Sequence, residues 1–135
     1  MPKPSKKDHA LHNEDVCNYL CPNVTYADWV LITAFYSAIH YVDHKIFPIT
    51  EKTVDGARFK IKCINEYRNN RYPNKDKHTS RVLLVDEKLP ALSSAFRWLK
   101  DSGHNSRYIN YSFSDPGKVI ETAKKLLSDI KNICT

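Results

Sequence analysis

Arg97 and His104 are the pair on which chemistry is most readily built. They stand seven positions apart. That is two helical turns, so on a continuous helix a guanidinium and an imidazole share one face. Asp101, one turn beyond Arg97, lies on that face too. Arg71 and His78 repeat the spacing in a more basic stretch, so two Arg–His pairs compete on count alone. An imidazole titrates near neutral pH, while an arginine stays charged and grips phosphate as a fork. Together they suit cleavage of a phosphodiester without a metal. A base takes the proton of a ribose 2′-OH, an acid protonates the leaving 5′-oxygen, and a cation stabilises the charge developing on the phosphate. Arg107 and Tyr108 would add contacts to phosphate and base. His78 and Arg81, i and i+3 at a helix start, make a second anion-friendly spot. Plainer roles compete with these. In those plainer roles, Arg97 pairs with Asp101 in solvent, His104 settles a helix C-terminus, and His78 and Arg81 tie a loop to the rest.

Charge favours a phosphate-rich partner. The formal net charge is +6, and much of it is concentrated. Arg58, Lys60, Lys62, Arg68, Arg71, Lys75, Lys77 and Arg81 share their segment with only Glu66 and Asp76. Such clustering points to nucleic acid ahead of other acidic partners, with Arg68 and Arg71 as candidate contacts. The alternative is an ordinary solvated basic surface. The 4 cysteines offer no second pair at zinc-finger spacing beside Cys17 and Cys21. His40 and His44 are one turn apart, but the catalytic-zinc helix motif would need Glu where Tyr41 stands. Neither a metal nor a cofactor is expected. No apolar run of about 18 residues lacks charges, so no membrane span is expected. The opening MPKPSKKDHALHNEDV has no apolar leader core, which predicts a cytoplasmic protein.

The elements that must hold these residues are nearly all helical. Residues 26–47, YADWVLITAFYSAIHYVDHKIF, read as one long helix that is apolar almost all round, as when neighbours enclose it. Tyr36 and His40 form a possible polar centre within it. Such a group must find a partner, and for His40 Tyr108 or a backbone group would serve. Before this helix, residues 1–7 read as flexible and 8–20 as a first helix, with Leu11, Val16, Tyr19 and Leu20 available to pack. Thr25 is a candidate N-cap for the long helix. After it, 48–56 form a connection. Residues 57–70 read as a basic helix with Phe59, Cys63, Ile64 and Tyr67 on one face. Thr79 or Ser80 caps a short helix bearing Val82 to Val85. Pro90 opens a helix with Leu92, Ala95, Phe96 and Leu99 inward, and Gly103 threatens its continuity. Ser114 or Asp115, with Pro116 at the first turn, begins a last amphipathic helix. The whole, residues 1–135, reads as a single all-α domain.

Three stretches carry a family resemblance. DWVLITAFYSAIHYVD (28–43), KHTSRVLLVDEKLPAL (77–92) and FRWLKDSGHNSRY (96–108) resemble, in that order, blocks of the HEPN superfamily, and of its small stand-alone bacterial members in particular. The resemblance implies an antiparallel bundle of about four to five helices, often a homodimer. Many members are metal-independent endoribonucleases of toxin–antitoxin, phage-defence and CRISPR-linked systems. Their motif is an Arg followed a few residues later by a His, and Arg97 and His104 stand near its usual place. Other members are non-catalytic and bind RNA, nucleotide or a partner protein. Some pair with an antitoxin or a small nucleotidyltransferase. The expected function is therefore that of an RNA-associated HEPN-like protein, either a ribonuclease working through Arg97 and His104 or a binding module working through segment 58–81.

Overall fold

The computed structural model describes residues 2–135. These residues form six α-helices and one small hairpin: α1 (Lys6–Leu20), α2 (Ala27–Ile46), β1 (Ile49–Lys52), β2 (Arg58–Ile61), α3 (Ile64–Arg71), α4 (Lys77–Lys88), α5 (Ser93–Tyr108) and α6 (Pro116–Cys134). Short 3-10 turns precede α2 and α5. The architecture is thus predominantly helical, with the six helices that the sequence pattern suggested, one or two more than the resemblance implied.

The apolar rod is the centre. Thirteen of the 20 residues of α2 are buried, and α1, α5 and α6 pack around it. Small residues let α1 come close. The buried Ser37 Oγ donates to the Ala10 carbonyl at 2.8 Å, and the Cys17 thiol donates to the Val30 carbonyl at 3.7 Å. These contacts run in opposite order along the two helices, so α1 and α2 are antiparallel. Tyr41 reaches across to donate to Glu14 at 2.7 Å, and Lys131 of α6 donates to the same carboxylate at 2.9 Å. One acid therefore ties three helices. Burial against these partners raises the Tyr41 hydroxyl well above its ordinary value.

Several boundaries differ from the sequence reading, each for a local reason. α1 begins two residues early because Ser5 and Asp8 form a reciprocal capping box. Its Leu11 and Tyr19 face solvent, and Ala10 and Cys17 make the packed face instead. Trp29 is likewise the exposed exception at the start of α2. Thr25 does not cap α2; Asn23 caps the preceding 3-10 turn. Asp76, not Thr79 or Ser80, caps α4, accepting from the Thr79 N–H at 2.7 Å. Asp115 caps α6, with Pro116 in its first turn. α5 runs unbroken through Gly103.

The largest correction lies at 57–70. Only its second half is helical. Arg58 to Ile61 pair antiparallel with Ile49 to Lys52, with Ile49 opposite Ile61. In Arg-Phe-Lys-Ile the burial alternates with period two. Asp55 and Gly56 build the connecting turn. Asp55 Oδ1 accepts from the Ala57 N–H at 3.2 Å, and Gly56 adopts φ 89°, a left-handed conformation suited to glycine. The hairpin encloses a second small core of Phe47, Ile49, Ile61, Ile64, Tyr67 and Leu84. No helix among the described residues is long and apolar enough to cross a membrane.

Candidate functional site

A groove of about 270 Å³ opens between α2 and α5 beside the start of α4. Ile32, Phe35 and Tyr36 come from α2, Lys100, Gly103, His104, Arg107 and Tyr108 from α5, and His78 from α4. Helical spacing explains the α5 wall. Residues 100, 103, 104 and 107 recur at i, i+3, i+4 and i+7 and so line one stripe. Gly103 sets the depth. A Cβ there would lie 3.3 Å from Phe35 Cβ, so the missing side chain lets α5 approach the centre of α2. Phe35 is the apolar floor, with the rings of Tyr36, His78 and Phe96 tilted around it at 5.8, 5.4 and 5.8 Å.

Cations line the rim. Arg107 Nη1 donates to Tyr36 Oη at 2.7 Å, bridging the two walls. Its guanidinium carbon also lies 5.3 Å from the centre of the Tyr108 ring, close enough for a cation–π contact. The His104 ring rests 5.0 Å from Tyr108. A second, shallower depression adjoins, lined by Asp76, His78, Thr79, Lys100, Asp101, His104 and Asn105. His78, Lys100 and His104 therefore border both spaces. Desolvation against the bundle holds the His78 imidazole below its ordinary pKa, and the nearby Arg81, Lys100 and His104 add to this while Asp76 opposes it. A neutral imidazole among cations is a proton acceptor at neutral pH.

The structure thus brings together His78, His104, Arg107, Tyr108 and Tyr36 from the residues singled out in the sequence. It places the others elsewhere. Arg97 is ion-paired with Asp86 of α4, is half exposed, and does not line the groove. Its expected neighbour Asp101 lies instead 3.7 Å from Lys100. Arg81 is not available as an anion contact. Its Nε and Nη2 donate to the two oxygens of Asp43 at 3.0 Å each, and the pair is buried. His40 does not meet Tyr108. It stacks on His9 of α1 with ring centres 5.0 Å apart, and burial followed by the nearby His9 keeps its pKa low.

The basic segment is also less free than its local count implied. Arg71 lies 2.5 Å from Glu51 and 3.4 Å from Glu87, which also removes it as a free partner for His78. Arg68 donates to the Lys75 carbonyl. Arg58, Lys60 and Lys62 remain exposed around the hairpin. The sequence reading passed over Lys100, although its place in the 100–103–104–107 stripe was visible. It had no signal for Phe35 as the floor, since that role depends on how closely α5 approaches.

Among the described residues no three His, Cys, Asp or Glu side chains converge as a metal site. Cys17 is an inert interior thiol, its pKa pushed up to about 12, chiefly by burial. Chemically, the groove offers an apolar floor for a flat ring, cations for an anion, and two imidazoles for proton transfer. No family model, curated protein or solved structure matches the chain.

Proposed function

We propose that the protein is a HEPN-like RNA-associated protein that seats an RNA phosphate among His78, Lys100, His104 and Arg107 and cleaves the strand without a metal. One observation carries the reading: an imidazole of α4 and an imidazole and two cations of α5 line a single apolar-floored groove. In the proposed reaction the neutral His78 accepts the 2′-OH proton. The 2′-oxygen bonds to phosphorus, the bond to the 5′-oxygen breaks, and His104 supplies the proton that this oxygen takes up. The products are a 2′,3′-cyclic phosphate and a 5′-hydroxyl. Lys100 and Arg107 face the negative charge that grows on the phosphate oxygens. His104 keeps the role implied by the resemblance, while Lys100 and Arg107 replace Arg97 as the cations.

A second reading is favoured by the Arg97–Asp86 pair, which holds the arginine of the resemblance outside the groove. It is a non-catalytic module that binds RNA, nucleotide or a partner such as a nucleotidyltransferase. End-labelled RNA incubated with protein in excess chelator separates the two. The first reading expects cyclic-phosphate ends, lost in His78→Gln and His104→Gln while RNA binding persists. Undiminished cleavage by His104→Gln refutes it, and binding without cleavage by the unaltered chain assigns the second. A homodimer and a toxin–antitoxin or phage-defence setting belong to the same proposal, and light scattering tests the dimer.

A further inference from the structure

The aromatic face of α2 continues beyond the groove. Trp29, Ile32 and Tyr36 are spaced at i, i+3 and i+7, so they lie on one side of the helix. Ile32 and Tyr36 line the groove, whereas Trp29 lies one turn further out with half its surface exposed. Tyr108 stands on the opposite wall, exposed over two-thirds of its surface. From Trp29 to Tyr36 is about 10.5 Å along the helix axis, at about 1.5 Å per residue. Exposed indole and phenol rings beside a cationic rim are the parts of a stacking platform for unpaired bases.

We propose that Trp29, Tyr36 and Tyr108 form a base-stacking track that makes the groove selective for single-stranded RNA. The inference rests on the RNA-binding reading of the groove and adds to it the class of strand. A duplex keeps its bases stacked on one another and offers phosphates, 2′-hydroxyls and base edges but no free base faces, so it gains the rim cations but not the rings. Charge selects nucleic acid over an apolar protein partner here. The groove's rim carries Lys100, Arg107, His78 and His104; no acid lines it, and Asp76 and Asp101, the latter 3.7 Å from Lys100, line the adjoining depression instead.

The test uses the full chain and fluorescence anisotropy with a labelled single-stranded oligoribonucleotide and a blunt RNA duplex of equal length. Trp29→Ala should weaken single-strand binding about tenfold, the expected scale for one stacked base. Trp29→Phe should keep most of it, and duplex binding should not change with either variant. Lys100→Ala should weaken both ligands. Trp29→Ala equal to the unaltered chain, with Lys100→Ala weakened, overturns the track and leaves the groove reading intact. If Lys100→Ala also binds normally, the groove reading falls with it. If Trp29→Ala leaves RNA binding unchanged but alters the size in solution, Trp29 is a protein contact and the inference is wrong. Trp29 is exposed, so circular dichroism of the variant should match the unaltered chain.

Discussion

Asp43→Asn should be among the most damaging conservative changes in the chain. Arg81 meets both carboxylate oxygens of Asp43 at 3.0 Å, with the two side chains only 7% and 10% exposed. Removing the charge leaves a guanidinium inside the bundle facing a neutral amide whose NH2, in place of one carboxylate oxygen, is a donor set against a donor. Breaking a buried pair from one side costs about 3–5 kcal/mol. A domain of this size is stable by about 5–15 kcal/mol, so at least a fifth of its stability would be lost. The melting temperature should fall by about 10–20 °C. Urea unfolding followed by circular dichroism, with calorimetry alongside, measures both. Arg71 supplies an internal contrast. It also pairs with two acids, but its side chain is 33% exposed, so Arg71→Gln should cost no more than about 1 kcal/mol. The double variant Asp43→Leu/Arg81→Met removes both charges and should recover most of the loss. The reasoning fails if Asp43→Asn costs under about 1 kcal/mol, or if the double variant loses the sum of the two single losses.

Other expectations follow from the same geometry. His40 and His78 are held below their ordinary pKa by desolvation, so the unfolded chain takes up these protons at higher pH than the folded one. Stability should be level above about pH 6.5, fall as pH drops through that value, and stop falling on their account below their folded pKa values. Melting curves across this range should be flatter for His78→Gln, and an unchanged slope would remove that contribution. Gly103→Leu should fill the groove against Phe35 and destabilise the chain by about 1–3 kcal/mol, read as a lower urea midpoint together with loss of RNA binding. Asp76→Ala removes the α4 cap and should cost about 1 kcal/mol, with a lower midpoint and an unchanged denaturant slope. Lys100→Ala/Arg107→Ala should reduce the salt dependence of RNA binding by about two phosphate contacts; an unaltered slope places the contacts elsewhere.

Much of the fold was legible because helical periodicity is a local property. The all-round apolar stretch 26–47 announced an enclosed helix, and α2 is that helix. Asp115 and Pro116 marked the start of α6 before any packing was known. The sequence reading failed where two local patterns overlapped. Phe59, Cys63, Ile64 and Tyr67 fit a helical stripe, yet the Asp55–Gly56 turn and the partner strand at 49–52 put Phe59 in a hairpin. An alternating stretch of 4 residues is too short to outvote a helical pattern by itself, and pairing with β1 decided it.

The candidate site divides in the same way. Sequence alone determined that this chain is rich in cations and that His104 and Arg107, like His78 and Arg81, stand three positions apart; the structure decided that α5 continues through Gly103 and that α4 begins ahead of His78, capped by Asp76. Which cations remain free was settled by packing. Arg81 is neutralised by Asp43, 38 residues away, and Arg97 by Asp86, 11 residues away. Glu51 and Glu87 reach Arg71 from outside its segment. A charge's partner is whichever opposite charge the fold places within a few ångströms, and separation along the chain does not report that distance. The groove is likewise a product of tertiary structure, because its depth follows from the closeness of two helices at Gly103 and Phe35.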